Sequence, residues 1–425
     1  MWNCTMKRLL VRVSGSLLLL VGLLAGCDTF VEDVDPPIDT IPDERLNDPE
    51  QIPFLVLGVH ARFADTYGGL ALLGGGLSDE LFFDQNVPGA TFPSYREIDQ
   101  GDILLDNNSV DGVYNDVGEL RFLADKLVER IDNMDDVPAD LATLGRFIGY
   151  FYGGVARYFY ATYFGLNPDQ GGGVIDAGPF IPSDQMYDLA LEKLNAALQN
   201  LPQELQIGNV TFTQAQLRRV VNSVIARVHL YKGDYAAATQ AALNGMQPGD
   251  PPFLALFSVE APNDFYFGGG RGRTQFVPDW RFAQYVEDDP SEAARIPLWT
   301  KLGNDGETIY YIQDKYPDQS SPIPFMTWQE NHLMLAELGA LRGQDIGGLD
   351  PLALINEVRQ SHGVTLLPVD TIVDEDLILE ERDKELFVQG ARLPDQRRFN
   401  RWHLPPGRWM YLPITQNERN ANPNL

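Results

Sequence analysis

Residues 142–164 carry the strongest helical periodicity in the chain. Leu144, Phe147, Ile148, Phe151, Val155, Tyr158, Phe159 and Thr162 recur at steps that align side chains along one face of an α-helix. A face so broad and so aromatic cannot be left in water, so other elements must cover it. Tyr150, Tyr152, Tyr160 and Tyr163 flank the stripe. An aromatic stripe at this spacing reads as a packing surface, and it is assigned to the core.

Further helices are arranged around it in pairs. Asp48-Pro49 is predicted to open a helix, with an N-cap followed by proline at the first position, that carries Leu55, Val59 and Phe63 and stops at Gly68-Gly69. Residues 70–112 read as irregular, a long loop with Gly74–Gly76, Asp79, Glu80 and several aromatics. A helix over 113–134 follows. Ser183 is predicted to cap a helix bearing Tyr187, Leu191, Leu194 and Leu198, which Pro202 ends. Thr213 and Gln216 have the spacing of a capping box, and that helix runs to Tyr231-Lys232-Gly233. Asp234 then caps a partner, Tyr235 to Met246. Ala226, Gly233, Tyr235 and Ala238 stand where two helices would approach closely, and the pair resembles a tetratricopeptide repeat. A comparable pair is predicted at 327–342 and 351–361, with Asp350 as cap and Pro351 at the first position. A last helix is expected over 375–389. Between the pairs, residues 247–325 lose helical period and form a loop-rich insert.

The N-terminus has a separate logic. Lys7, Arg8 and Arg12 precede the apolar run Leu17–Leu24, which is too short to span a bilayer, and small residues end it. Leu24-Ala25-Gly26-Cys27 resembles the lipobox of bacterial lipoproteins. That resemblance implies a signal peptide over 1–26 and a lipidated Cys27 as the first mature residue. Residues 27–45 hold prolines and acids without apolar period and read as an acidic tether. Acids next to the lipidated cysteine resemble the surface-export signal of Bacteroidetes lipoproteins; in many other bacteria Asp28 would direct retention at the inner membrane. The remaining residues, 46–425, read as one domain, with helix pairs about 48–246 and 327–361 on either side of the loop-rich insert.

Charge narrows the partners. Sixty Asp and Glu against 32 Lys and Arg give a net charge of −28, a field that repels nucleic-acid phosphates. No nucleic-acid partner is expected. Cys4 and Cys27 are the only cysteines, so neither a disulfide framework nor a cysteine metal site is expected.

Four stretches carry a wider resemblance: ARYFYATYFG at 156–165, ARVHLYKGDYAAA at 226–238, ENHLMLAELGALRG with INEVRQSHG, and ERDKELFVQGARLPDQRRF followed by LPITQNERNANPNL. Together they resemble the SusD/RagB family of surface glycan-binding lipoproteins, over the whole chain from Cys27. Gln389, Gln396 and Thr415 depart from the family's usual Glu, Leu and Pro. The resemblance implies a mainly α, SusD-like fold, with tetratricopeptide-type helix pairs on one face and long irregular loops on the other. The expected pairs are 48–66 with 113–134, 142–164 with 183–201, 213–232 with 234–246, and 327–342 with 351–361. It further implies outer-membrane anchoring, an exterior-facing position, and a SusC-like TonB-dependent transporter as partner. Glu381, Arg382, Glu385 and Arg392 are read as an ion-paired structural lock.

Catalytic signatures are missing from the sequence: there is no zincin motif, nucleophile elbow or phosphate loop, and the five histidines are scattered. No cofactor or metal is expected, and the chain reads as non-enzymatic. Asn304-Asp305-Gly306-Glu307 has the residue types of a calcium loop but also of a simple turn. The resemblance implies an oligosaccharide held on aromatic faces, because the C–H face of a sugar ring stacks on rigid aromatics at little entropic cost. Aromatics outside helical stripes are Phe82, Phe83, Tyr95, Trp280, Tyr285 and Trp299, and these are the ligand-binding candidates. Peptide capture of the RagB type and a secreted glycan hydrolase are the alternative functions.

Overall fold

A computed structural model describes residues 43–425. The signal peptide, Cys27 and nearly all of the tether lie outside the described residues. Asp43–Asn47 and Pro49–Gln51 are short 3-10 turns of an N-terminal unit, while Ile52–Leu425 forms a second unit. Asp48 accepts the Glu50 N–H at 3.1 Å, so it caps a 3-10 turn, and the α-helix begins only at Ile52.

That helix, α1 (Ile52–Leu77), does not stop at Gly68-Gly69. It runs through both glycine clusters, so residues 70–77 are helix and not loop. Glycine weakens a helix interior by about 1 kcal/mol against alanine, yet here the backbone is approached too closely for a side chain. A Cβ at Gly69 would lie 2.7 Å from Val113, and one at Gly76 would lie 2.2 Å from Phe276. The remainder of the predicted irregular stretch also has structure: β1 (Leu81–Phe83) and α2 (Pro93–Asp99) precede α3 (Asn108–Asn133).

The periodic segment is α4 (Ala139–Tyr163), which packs against α1 and α3. Phe63, Tyr67 and Phe159 lie in near-parallel planes with ring centroids 6.0–6.4 Å apart, and Phe325 meets them edge-on. The flanking Tyr152, Tyr160 and Tyr163 are buried as deeply as the stripe itself. From Phe151 to Tyr163 the helix is enclosed on all sides because this half is central rather than peripheral, which one face of periodicity could not reveal.

Next, β2 (Phe164–Asn167), β3 (Gln170–Gly173) and β4 (Ile181–Pro182) form most of a small sheet. Then α5 (Ser183–Gln199) packs on α4. Ser183 is its first residue and not its cap; the hydroxyl donates at 2.7 Å to the Ala161 carbonyl and ties the two helices together. A hairpin of β5 (Glu204–Ile207) and β6 (Val210–Thr213) leads into α6 (Gln214–Lys232). Thr213 and Gln216 form the capping box, Gly233 closes the helix at φ +85, and Asp234 caps α7 (Tyr235–Leu243).

The insert is less irregular than its sequence suggests. It comprises β7 (Phe253–Ala255), α8 (Asp264–Gly268), β8 (Phe276–Pro278), α9 (Trp280–Asp288), the hairpin β9 (Leu298–Leu302) with β10 (Ile309–Gln313), and β11 (Ile323–Met326). β7 pairs with β11 at its base, and β8 pairs antiparallel with β1. Each pairing joins residues distant in sequence, so no local period announces it.

α10 (Trp328–Ala340) and α11 (Pro351–Ser361) form the last helix pair. They build a second core with α6 and α7 around Ala226, Leu230, Leu333, Leu338 and Ile355. α12 (Glu375–Glu385) ends before Gln389, because Val388 at φ +54 and Gly390 at φ +74 are left-handed and cannot continue a helix. After α13 (Arg392–Arg398), β12 (Leu412–Pro413) adds in parallel to β2, and α14 (Gln416–Ala421) closes the chain. The expected lock is ion-paired, but its partners come from elsewhere. Arg382 binds Asp395 at 2.7 Å, Arg392 binds Asp79, Glu381 binds Arg295 at 2.9 Å and Glu385 meets His362 at 3.1 Å. Among the described residues no helix is long and apolar enough to cross a membrane.

Candidate functional site

Four of the six candidate aromatics meet where β1, β8 and the β9–β10 hairpin come together. β1 brings Phe82, its register with Val277 set by the antiparallel pairing. Asp279 caps α9 by accepting the Arg281 N–H at 2.9 Å, while its own N–H donates to the Glu80 carbonyl at 2.9 Å. That double attachment fixes Trp280 beside Phe82. The two rings lie 4.6 Å apart at 30°, and Trp280 is 46% exposed. Beneath them Tyr310 is buried, 5.9 Å from Trp280 and 6.4 Å from Phe82. Trp299 and Phe83 pack partly buried into the same small apolar cluster. The Trp299 indole N–H has no hydrogen-bond partner among the described residues, and the Arg271 guanidinium lies 6.0 Å from its ring, held by Asp314 at 2.6 and 2.7 Å.

A polar network braces this platform. The Tyr310 hydroxyl donates to Asp84 at 2.6 Å and accepts from the Asn86 amide at 3.1 Å. Burial, with the bond to Asp84, pushes this phenol above its ordinary range. Asn86 reaches across to the hairpin turn, donating to Asp305 at 2.9 Å and accepting the Asp305 N–H at 2.9 Å. Asp305 also accepts from the Thr308 hydroxyl at 2.6 Å and from the N–H groups of Glu307 and Thr308, which hold its carboxyl well below the usual range. The stretch weighed as a calcium loop therefore directs its carboxylate into its own turn. Among the described residues no group of three or more His, Cys, Asp or Glu is placed to hold a metal ion.

The other two candidates lie elsewhere. Tyr95 turns toward Phe276, ring centroids 4.8 Å apart. Tyr285 borders a separate cleft of about 350 Å³ with Asp79, Arg281 and Arg392, its ring 4.6 Å from the Lys384 ammonium. Sequence reasoning passed over Tyr310, Asp84 and Asn86. The β-branched and aromatic run Ile309–Ile312 was the available strand signal for Tyr310; nothing local marks Asp84 or Asn86, whose roles depend on a hairpin more than two hundred residues away.

Two titratable groups near the platform bear on chemistry. Asp99 is raised to about 6, mainly by burial, with a bond from the Phe83 backbone opposing and the Asp84 charge adding to the shift. Asp84 itself accepts from Tyr310 and from the Asn86 N–H at 2.8 Å, so both oxygens are engaged. The histidines are remote from this chemistry. His60 bonds the Tyr152 hydroxyl at 2.6 Å and is held down to about 4 by burial, and His332 is likewise lowered to about 4.

Solved structures share this architecture. A SusD superfamily protein from Bacteroides thetaiotaomicron matches with a TM-score of 0.70 and 18% identity, over 88% of this chain and 98% of that one. B. fragilis NanU matches at 0.67 and 16% identity, over 92% and 98%. Surface glycan-binding protein A from Bacteroides uniformis matches at 0.65 and 18% identity, over 89% and 99%. No family model matches the sequence, and no curated protein does. Identities this low speak to fold alone: the chain has the mainly α, SusD-like fold.

Proposed function

We propose that this chain of SusD-like fold is a member of the SusD/RagB family that captures oligosaccharides at the cell surface. It does so without catalysis and hands them to a SusC-like TonB-dependent transporter in the outer membrane. The observation that carries this reading is the Phe82–Trp280 pair, an open indole braced by a neighbouring ring above a buried Tyr310. Such a surface suits the C–H face of a sugar, and the Asp84–Asn86–Asp305 network keeps it rigid before a ligand arrives. Relatives in fold named for glycan and laminarin binding support the ligand class. Cys27, by its lipobox, would supply the membrane attachment.

The test is a titration of the intact protein with a panel of neutral oligosaccharides, read by tryptophan fluorescence and calorimetry. At least one glycan should bind, and Trp280→Ala should weaken it at least tenfold. Binding of peptides but no glycan would overturn the ligand class. Release of glycan fragments, abolished by Asp99→Asn, would overturn the non-catalytic reading.

A further inference from the structure

A second groove, of about 500 Å³, opens between α3, the loop after Val174 and α14, and shares no residue with the aromatic platform. Phe122 forms one wall and is 53% exposed. Tyr114 and Tyr160 line the floor, each only 3% exposed, their rings 5.6 Å apart and edge to face. Neither hydroxyl makes a hydrogen bond among the described residues, although both side chains are otherwise enclosed. Neither hydroxyl is sealed from water: each keeps solvent access, so two phenols whose rings are otherwise buried offer their O–H groups in one groove, as preset partners for a polar guest. Burial raises both phenols above their ordinary range, so both remain donors at any physiological pH.

Gly118 gives a second indication. It sits inside α3, where alanine would favour the helix by about 1 kcal/mol. Among the described residues, the only atom a Cβ there would meet is the Tyr160 hydroxyl oxygen, at 3.3 Å. The glycine thus leaves that hydroxyl uncovered without being demanded by packing. Around the rim, Arg121 is paired to Asp176 at 2.5 Å and Glu119 to Arg62 at 2.8 Å, while Glu418 adds negative charge. The balance disfavours an anion. A neutral polyol satisfies every feature at once, with its C–H face on Phe122 and its hydroxyls on the two phenols.

We propose that this groove is a second binding site, for a neutral sugar unit, separate from the Phe82–Trp280 platform. The ligand class rests on the glycan reading above; the existence of the site does not. The two sites can be read independently, because the groove has no tryptophan and the platform has two. The protein is produced with 3-fluorotyrosine, and the Tyr114 and Tyr160 fluorine resonances are assigned with Tyr114→Phe and Tyr160→Phe. Glucose, xylose and mannose hexasaccharides and a galacturonate oligomer are then titrated singly. At least one neutral sugar should shift both resonances, also in Trp280→Ala protein. The affinity read there should fall at least tenfold in Phe122→Ala and in Gly118→Ala, and the galacturonate oligomer should shift neither. If tryptophan fluorescence responds while these resonances stay still, the groove site is wrong and the platform stands. Tyrosine shifts without any tryptophan response would leave the groove and remove the platform. Silence in both would remove both, and a shift with galacturonate alone would overturn the ligand assigned here.

Discussion

The Glu80 carboxyl group accepts the Val388 N–H at 2.8 Å, closing a gap of 308 residues between the end of the first helix and the segment after α12. Val388 is a β-branched residue at φ +54, a conformation costly enough to need support. The support is dense. Tyr316 donates to the Val388 carbonyl at 3.3 Å, Tyr67 to that of Gln389 at 2.8 Å, Tyr163 to that of Gly390 at 2.9 Å, and Lys315 to that of Phe387 at 3.1 Å. One short segment is thereby tied to α1, α4 and the insert.

Glu80 makes this tie sensitive to pH. Burial, with the Asp383 charge, raises its carboxyl from 4.5 to about 8, against the opposing Val388, Arg281 and Arg392. Between those values the folded chain holds a proton that the unfolded chain releases. The contribution to stability therefore falls as pH rises through this window, by at most about 1.4 kcal/mol per pH unit, and does not return above it. Glu80→Gln, which stays neutral, should gain in melting temperature relative to the parent as pH goes from 5 to 9. A difference that did not change with pH would mean that Glu80 is ionised throughout.

Arg295 is a buried cation between two buried carboxylates, 2.7 Å from Glu292 and 2.9 Å from Glu381, with Arg359 completing the group. Arg295→Met would leave carboxylates short of a partner in a dry site. Urea unfolding should show a loss of about 3–5 kcal/mol. Arg401→Met, which breaks the exposed pairs to Glu375 and Asp376, should cost less than about 1 kcal/mol. Equal costs would contradict the burial argument.

The glycines of α1 should separate by packing. Gly76→Ala drives a Cβ to 2.2 Å from the fully buried Phe276 ring and should destabilise by about 1–3 kcal/mol. Gly58→Ala meets nothing within 4 Å among the described residues and should stabilise by about 0.5–1 kcal/mol. Thermal melts of the two variants decide it.

Cys27→Ala should release a folded, ligand-competent protein from the membrane fraction and abolish uptake of the bound glycan. The acidic tether, extended, reaches at most about 60 Å. Undiminished uptake by the released protein would show that attachment is dispensable.

The helices whose start and stop signals are local could be read from the amino-acid sequence. The Thr213–Gln216 box, Gly233, Asp234 and Asp350-Pro351 each act within one turn, so they could be read without knowing what they pack against. The aromatic period of 144–162 likewise announced a buried helix. Tertiary structure alone decided the remainder. It made helix of the glycine runs in α1, because Val113 and Phe276 come from other elements to fill the space left by missing side chains. It turned the insert into paired strands and brought Phe82 to Trp280, 198 residues later in the chain, through the β1–β8 pairing. It also left Tyr95 and Tyr285, indistinguishable in sequence from the platform aromatics, packed elsewhere. The reason is physical. A cap or a period is a local free-energy preference, whereas a binding surface is a coincidence of distant residues that exists only once long-range burial has outweighed the entropy of bringing them together.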